Sequence, residues 1–195
     1  MRVSKETMEL HHQQIISIAS EMLRERGVQG VSLADVMQAA GLTHGGFYRH
    51  FNSKEALVAE ATSAAFEGIL DRLEKLAARK GSTTALEDYV SGYLSQKHLE
   101  KPSQGCPIPA FGGDIAREGA EVRAAFYTGV SRLLEWVEAG LPLPEAERKG
   151  KAIELLSVMV GAVVTARASG DKALAIKILA QARQSVGSLA QLCLR

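Results

Sequence analysis

Apolar residues recur along this chain at intervals of three and four, with no sustained alternation, so it reads as helical throughout. Ile15, Ile18, Ala19, Met22 and Leu23 share one face of a helix predicted over Lys5–Arg26, and Gly27 stands where a C-terminal cap is expected. Val28 and Val31 enclose a tight turn. Ser32 is placed to cap a short helix, with Asp35 favouring its positive end and Leu33, Val36, Met37 and Ala40 as its buried side. Gly41 permits a sharp turn and Leu42 plugs the gap behind it. Thr43 is placed to cap a second short helix, in which Phe47 and Phe51 share a buried face. Asn52 with Glu55 reads as the capping box of a long helix over 53–79, lined by Leu57, Ala61, Ala65, Ile69, Leu73 and Leu76 and ended by Gly81-Ser82.

Beyond Thr83 the helical pattern continues without repeats. Leu86, Tyr89, Val90, Tyr93 and Leu94 mark one helix. The stretch 101–113, KPSQGCPIPAFGG, is expected to break helix because of its prolines and glycines. Ile115, Val122, Phe126, Val130, Leu133 and Val137 form the next stripe, and Leu141-Pro142-Leu143-Pro144 a second break. The last two helices are predicted over 145–169 and 171–194. The first of them is apolar nearly all round and needs cover on most faces, which a monomer core or the matching helices of a second copy can supply. The dimer is the favoured reading. The fold class is all-α.

Composition narrows the function. The net charge is +1 over 195 residues. Residues 1–60 carry six cations (Arg2, Lys5, Arg24, Arg26, Arg49, Lys54) against seven acidic groups (Glu6, Glu9, Glu21, Glu25, Asp35, Glu55, Glu60). A nonspecific architectural DNA binder would need a more basic head. From Gly41 to Lys54, however, no acidic residue occurs, and Arg49, Lys54, His44 and His50 can all present positive charge. Phosphate contacts need cations only on the docking face, so this local run points to DNA. The pair Gly45-Gly46 reads either as a frayed loop or as a place where a helix N-terminus approaches a nucleic-acid backbone closely. Cys106 and Cys193 form no CxxC motif and no Cys/His cluster, which fits a reduced cytosol and no metal site. The polar start suggests no secretory leader, and the most apolar stretch, 152–166, falls short of the ~20 residues that span a bilayer. A cytoplasmic protein without membrane partner is expected. No GxSxG elbow, phosphate-cradling loop, HExxH or paired-carboxylate site supports an enzyme.

The run Gly41-Leu42-Thr43-His44-Gly45-Gly46-Phe47-Tyr48-Arg49-His50-Phe51-Asn52-Ser53-Lys54-Glu55-Ala56-Leu57, with Gly27 to Ala40 before it, resembles the TetR family of bacterial transcriptional regulators. The resemblance is strong over residues 9–69 and extends beyond them only as helical layout and length. It implies an N-terminal three-helix DNA-binding domain over 9–69, with its helix-turn-helix at about 32–51, and a helical effector-binding and dimerisation domain over 70–195. Such proteins are usually repressors that bind a palindromic operator in double-stranded DNA as homodimers, paired through C-terminal helices and released by a small-molecule effector. Carried over by position, Thr43, His44, Gly45, Tyr48 and His50 lie at or near DNA, Lys54 at a helix N-terminus that meets phosphate, and Ser32 at the backbone. Arg49 is the local candidate for a guanine or a phosphate. No cofactor is implied.

Candidate effector chemistry lies further on. Tyr89, Tyr93, Phe111, Phe126, Trp136 and Met159 can line an apolar pocket or simply form core. His98 fits pocket or surface equally. Cys106, in Gly105-Cys106-Pro107, reads either as a packed small residue or as a thiol sensing oxidants or electrophiles, as in some members of that family. Cys193 reads as packing, and His11 and His12 as facing solvent or DNA. A thiol-based repressor and a constitutive DNA binder without effector are the alternative functions.

Overall fold

The computed structural model describes residues 4–192 and 194, and every regular element among them is helical. In chain order these are α1 (Lys5–Arg26), α2 (Leu33–Ala39), a 3₁₀ segment (His44–Arg49), α3 (Lys54–Lys80), α4 (Ser82–Tyr93), α5 (Gln96–Glu100), a 3₁₀ turn (Pro102–Gln104), α6 (Pro107–Ile115), α7 (Ala120–Gly140), α8 (Glu145–Ala168) and α9 (Lys172–Ala190). Cys193 lies outside the described residues. No helix among them is long and apolar enough to cross a membrane.

Local chemistry accounts for the first boundaries. The Ser4 hydroxyl accepts the Thr7 N–H at 3.1 Å and starts α1. Gly27, at φ 72°, ends it with its N–H donating to the Leu23 carbonyl. At α2 a reciprocal capping box forms: the Asp35 N–H donates to Ser32 Oγ, and the Ser32 N–H to Asp35 Oδ2. The Ser32 hydroxyl, and secondarily its amide, hold the Asp35 carboxyl below its ordinary pKa.

Three expectations are corrected. The second short helix is 3₁₀ rather than α, and the Thr43 side chain makes no capping bond to it. With glycine at two of its first three positions, helix-favouring side chains are missing where the segment starts. Second, α3 is capped by Ser53, whose Oγ accepts the Ala56 N–H at 3.0 Å, in place of Asn52. Third, the supposed break over 101–113 is only half a break: α6 begins at Pro107. Pro107 and Pro109 fall in its first turn, where amides lack intrahelical acceptors, so their missing N–H groups cost nothing.

The chain forms two compact units. One comprises residues up to Glu67 together with Cys106–Gly129; the other comprises Gly68–Gly105 and the residues from Val130 on. Both α3 and α7 continue from one unit into the other. The first unit's core gathers Ile15, Leu23, Val36, Met37, Phe47 and Phe51 from the N-terminal third, with Phe111, Ile115 and Val122 from α6 and α7. The Phe66 ring lies directly on the backbone at Gly129.

In the second unit α8 and α9 pack along each other, joined by a three-residue turn. Leu155, Leu156, Met159 and Val163 of α8 are buried, as are Leu179 and Val186 of α9. Two guanidinium groups tie helix ends together: Arg183 Nη2 donates to the carbonyls of Ser91 and Leu94, and Arg167 Nη2 to that of His98. Ile153, Val164, Leu174 and Ile176 of α8 and α9 stay 44–48% exposed.

Candidate nucleic-acid interface

The 3₁₀ segment is anchored from below. Phe47 is fully buried and stacks on Phe51 at 5.5 Å, with Met37 of α2 buried in the same core. Anchoring Phe47 turns its neighbours outward. Thr43, His44, Gly45, Tyr48 and Arg49 are exposed, Tyr48 by 67%, and its ring meets Phe47 edge-on at 5.2 Å. Ser32, at the start of α2, is exposed too.

A Cβ at Gly45 would meet nothing within 4 Å, and one at Gly46 would make only ordinary contacts with Thr43 and Met37. Neither residue has positive φ. Neither glycine is therefore demanded by the interior or by the backbone conformation.

His11 and His12, expected near solvent or DNA, are both half-buried and lie close to His50. His12 stacks on Phe51 at 4.6 Å and pairs through Nε2 with Glu60 at 3.0 Å, so it belongs to the packing of α1 on α3. His50, half-buried at the end of the 3₁₀ segment, lies 6.0 Å from His12 and 6.3 Å from His11 between ring centres. Burial first, then the charges of His12, His11 and Arg49, hold its pKa below the ordinary value. The shift favours the neutral imidazole, which can donate or accept a hydrogen bond. Lys54 starts α3, but its Nζ points to the Val28 carbonyl at 3.4 Å. Asp114 and Glu118 reach the same turn: Asp114 Oδ2 accepts the Val28 N–H, and Glu118 Oε1 accepts from Gln29 Nε2. No sequence spacing could reveal them, because 86 and 89 residues separate the partners.

The effector candidates fall in different places. Tyr89 meets Trp136 and Tyr93 edge-on, each at 5.5 Å, and Tyr93 lies 4.5 Å from His98, all in the second unit. Met159 is fully buried in α8. His98 is mostly buried: its Nδ1–H donates to the Tyr93 carbonyl at 2.8 Å, while burial, with a smaller push from Arg167, drives its pKa down to about 4. Cys106, Phe111 and Phe126 belong to the first unit. Phe111 is core there, and Phe126 meets Phe66 edge-on at 5.5 Å. Cys106 is 3% exposed and occupies the N-cap position of α6. Among the described residues no group of three His, Cys, Asp or Glu side chains is placed to hold a metal ion.

Comparison with known proteins agrees with this geometry. Residues 15–61 match the sequence profile described as bacterial regulatory proteins, tetR family. The HTH-type transcriptional repressor KstR2 of Rhodococcus jostii is 37% identical over 60 residues, which are 31% of this chain and only 28% of that protein's length. An uncharacterised HTH-type transcriptional regulator of Mycobacterium tuberculosis is 25% identical over 170 residues, 82% of this chain and 85% of its own. The reduced form of Escherichia coli NemR superposes with a TM-score of 0.77 at 19% identity, over 91% of this chain and 95% of that one. A TetR transcriptional regulator from Legionella pneumophila also gives 0.77, at 16% identity, over 97% and 100%. The similarity in sequence is concentrated in the N-terminal third, whereas the similarity in fold runs the length of the chain.

Proposed function

We propose that this chain, which belongs to the TetR family of bacterial regulatory proteins, is a repressor that binds a palindromic operator as a dimer and releases it on binding a small molecule. It is a DNA-binding transcriptional regulator and not an enzyme. Residues 9–69 carry the contacts to DNA, and the contacts to effector and to the second copy lie within residues 70–195. The carrying observation is the 3₁₀ segment, pinned through Phe47 while Thr43, His44, Gly45, Tyr48 and Arg49 face outward. The free space at Gly45 supports close approach of its main chain to a phosphate or base edge. Ser32, His50 and Lys54 complete the contact set, with Lys54 turning from the Val28 carbonyl to a phosphate. The exposed apolar residues of α8 and α9 support pairing of two copies through these helices. Two heads then address half-sites about one turn of DNA apart. The site of action is the cytoplasm.

Tyr89, Tyr93, Trp136 and Met159 are the effector contacts best supported, being grouped or buried in one unit. Selection of bound duplexes from a random pool, followed by footprinting, tests the reading. The expected product is a two-fold symmetric site. Equal affinity for that site and a scrambled duplex at physiological salt would sink it. If no compound alters operator affinity, the protein is a constitutive binder.

One observation favours a second reading, in which Cys106 is the sensor. Its position at the N-cap of α6 places the sulfur at the positive end of a helix, which stabilises a thiolate. Its burial opposes this, so the start of α6 must open for reaction. An electrophile should then release DNA from wild type and not from Cys106→Ser; equal release from both leaves Cys106 as packing.

A further inference from the structure

The turn between α1 and α2 is gripped by residues far along the chain. The Val28 N–H donates to Asp114 Oδ2 at 3.0 Å, and the Val28 carbonyl accepts from Lys54 Nζ at 3.4 Å. Beside it, Gln29 Nε2 donates to Glu118 Oε1 at 3.1 Å. Gly27 makes the approach possible, because a Cβ there would stand 2.6 Å from Asp114 Oδ2. The glycine that ends α1 thus also leaves the opening through which the carboxylate arrives. Asp114 is itself oriented, its Oδ1 accepting from Arg117 Nη2 at 2.7 Å. Behind it, Phe111, Ile115 and Val122 are buried in the first unit's core, and Gly119 lies against the Glu55 carboxylate of α3.

A backbone amide bound to a carboxylate is held more firmly than one bound to a neutral acceptor. This one sits at the joint that sets how α2 leaves α1, four residues before the cap at Ser32. The gripping segment is joined to the second unit at both ends, through Gly105–Cys106 and Gly129–Val130.

We propose that Asp114, with Glu118 as a second arm, is a positioning residue for operator binding: it fixes the α1–α2 turn at Val28 and through it the seating of α2 and the 3₁₀ segment. The inference rests on the DNA-binding reading above. Asp114 touches no DNA. It acts through Val28, so whatever shifts residues 106–129 also shifts the grip on the turn.

The test uses the full-length protein, the duplex that wild type enriches from a random pool, and a scrambled duplex. Asp114→Ala is expected to speed amide exchange at Val28 and to weaken operator binding about tenfold, the size expected for one hydrogen bond to a charged group. Scrambled-duplex affinity stays at the wild-type value, and the melting temperature falls by no more than the loss of one hydrogen bond implies. Asp114→Asn, which keeps an acceptor oxygen, recovers most of the operator affinity. Glu118→Ala, acting on a more exposed contact, costs about threefold. Operator binding by Asp114→Ala equal to wild type overturns the proposal. So does an equal loss on both duplexes with a lowered melting temperature, since Asp114 would then only stabilise the fold. Should Asp114→Ala not fold, unchanged operator binding by Glu118→Ala overturns it. Failure of wild type to distinguish the two duplexes overturns the DNA-binding reading instead.

Discussion

Phe47 and Tyr48 are adjacent, and one is fully buried while the other is 67% exposed. Their division of labour makes Tyr48 the cleanest probe of DNA contact. Tyr48→Ala should weaken operator binding about tenfold, by loss of a groove or phosphate contact, and change stability by less than about 0.5 kcal/mol. A shift assay and a urea melt on the same preparation check both halves. His98 gives a prediction of a different kind. Its folded pKa, about 4, lies below the ordinary 6.5, so the native state disfavours the proton. The stability it supplies is present above pH 6.5 and is lost as pH falls toward 4. Lowering pH from 7 to 5 should cost on the order of 2 kcal/mol through this residue. His98→Gln should flatten the dependence of the urea midpoint on pH, leaving the smaller share of His50, which has the same sign. At this scale the sequence was partly legible. The burial of Phe47 and Phe51 follows from their four-residue spacing, whereas the outward direction of Arg49 did not follow from it. The place of His98 did not follow, since its acceptor and its guanidinium neighbour come from the ends of two other helices.

Helix boundaries were legible where side chain and backbone chemistry agree. Ser32 with Asp35, and Gly27, mark ends that the structure reproduces. They misled where two capping residues stand side by side. Asn52 and Ser53 both suit the start of α3, and only the geometry shows Ser53 in the role. Ser53→Ala should therefore cost about 1 kcal/mol and Asn52→Ala much less, as read by thermal melts of the two variants. Prolines misled over α6 for a related reason. Counting them as helix breakers ignores position, and Pro107 and Pro109 sit where a helix tolerates them. The 3₁₀ character of His44–Arg49 likewise depends on how the two glycines are used, which composition alone leaves undetermined.

Across the whole molecule, the apolar face of α8 was visible in the sequence as a helix with too little cover. The structure buries Leu155, Leu156, Met159 and Val163 and leaves Ile153 and Val164 at 48% and 44% exposure, while Leu174 and Ile176 of α9 are exposed to a similar degree. If these faces pair two copies, Val164→Glu with Ile176→Glu should give a monomer by sedimentation, with each chain still helical. Operator affinity should fall far more than affinity for a single half-site, because one head loses the effective concentration supplied by the other. Unchanged sedimentation of the double variant would rule out these helices as the interface. The sequence placed a boundary near residue 69, close to the one after Glu67, but did not show that residues 106–129 join the first unit. Nothing in the spacing of residues 106–129 announces that they complete a core begun by Ile15 and Leu23.

That discontinuity bears on how such a protein can be recombined. An exchange of residues 1–69 between two relatives, made to transplant one operator preference onto another sensor, would part Val28 and Gln29 from the carboxylates that hold them. The incoming turn would meet a foreign Asp114 and Glu118 or their replacements, and Phe111, Ile115 and Val122 would face a core they did not evolve beside. A graft that retains the donor's specificity must carry two pieces, the N-terminal stretch and the segment from Cys106 to Gly129. In this protein the unit of exchange is defined by packing and is not a continuous cassette of sequence.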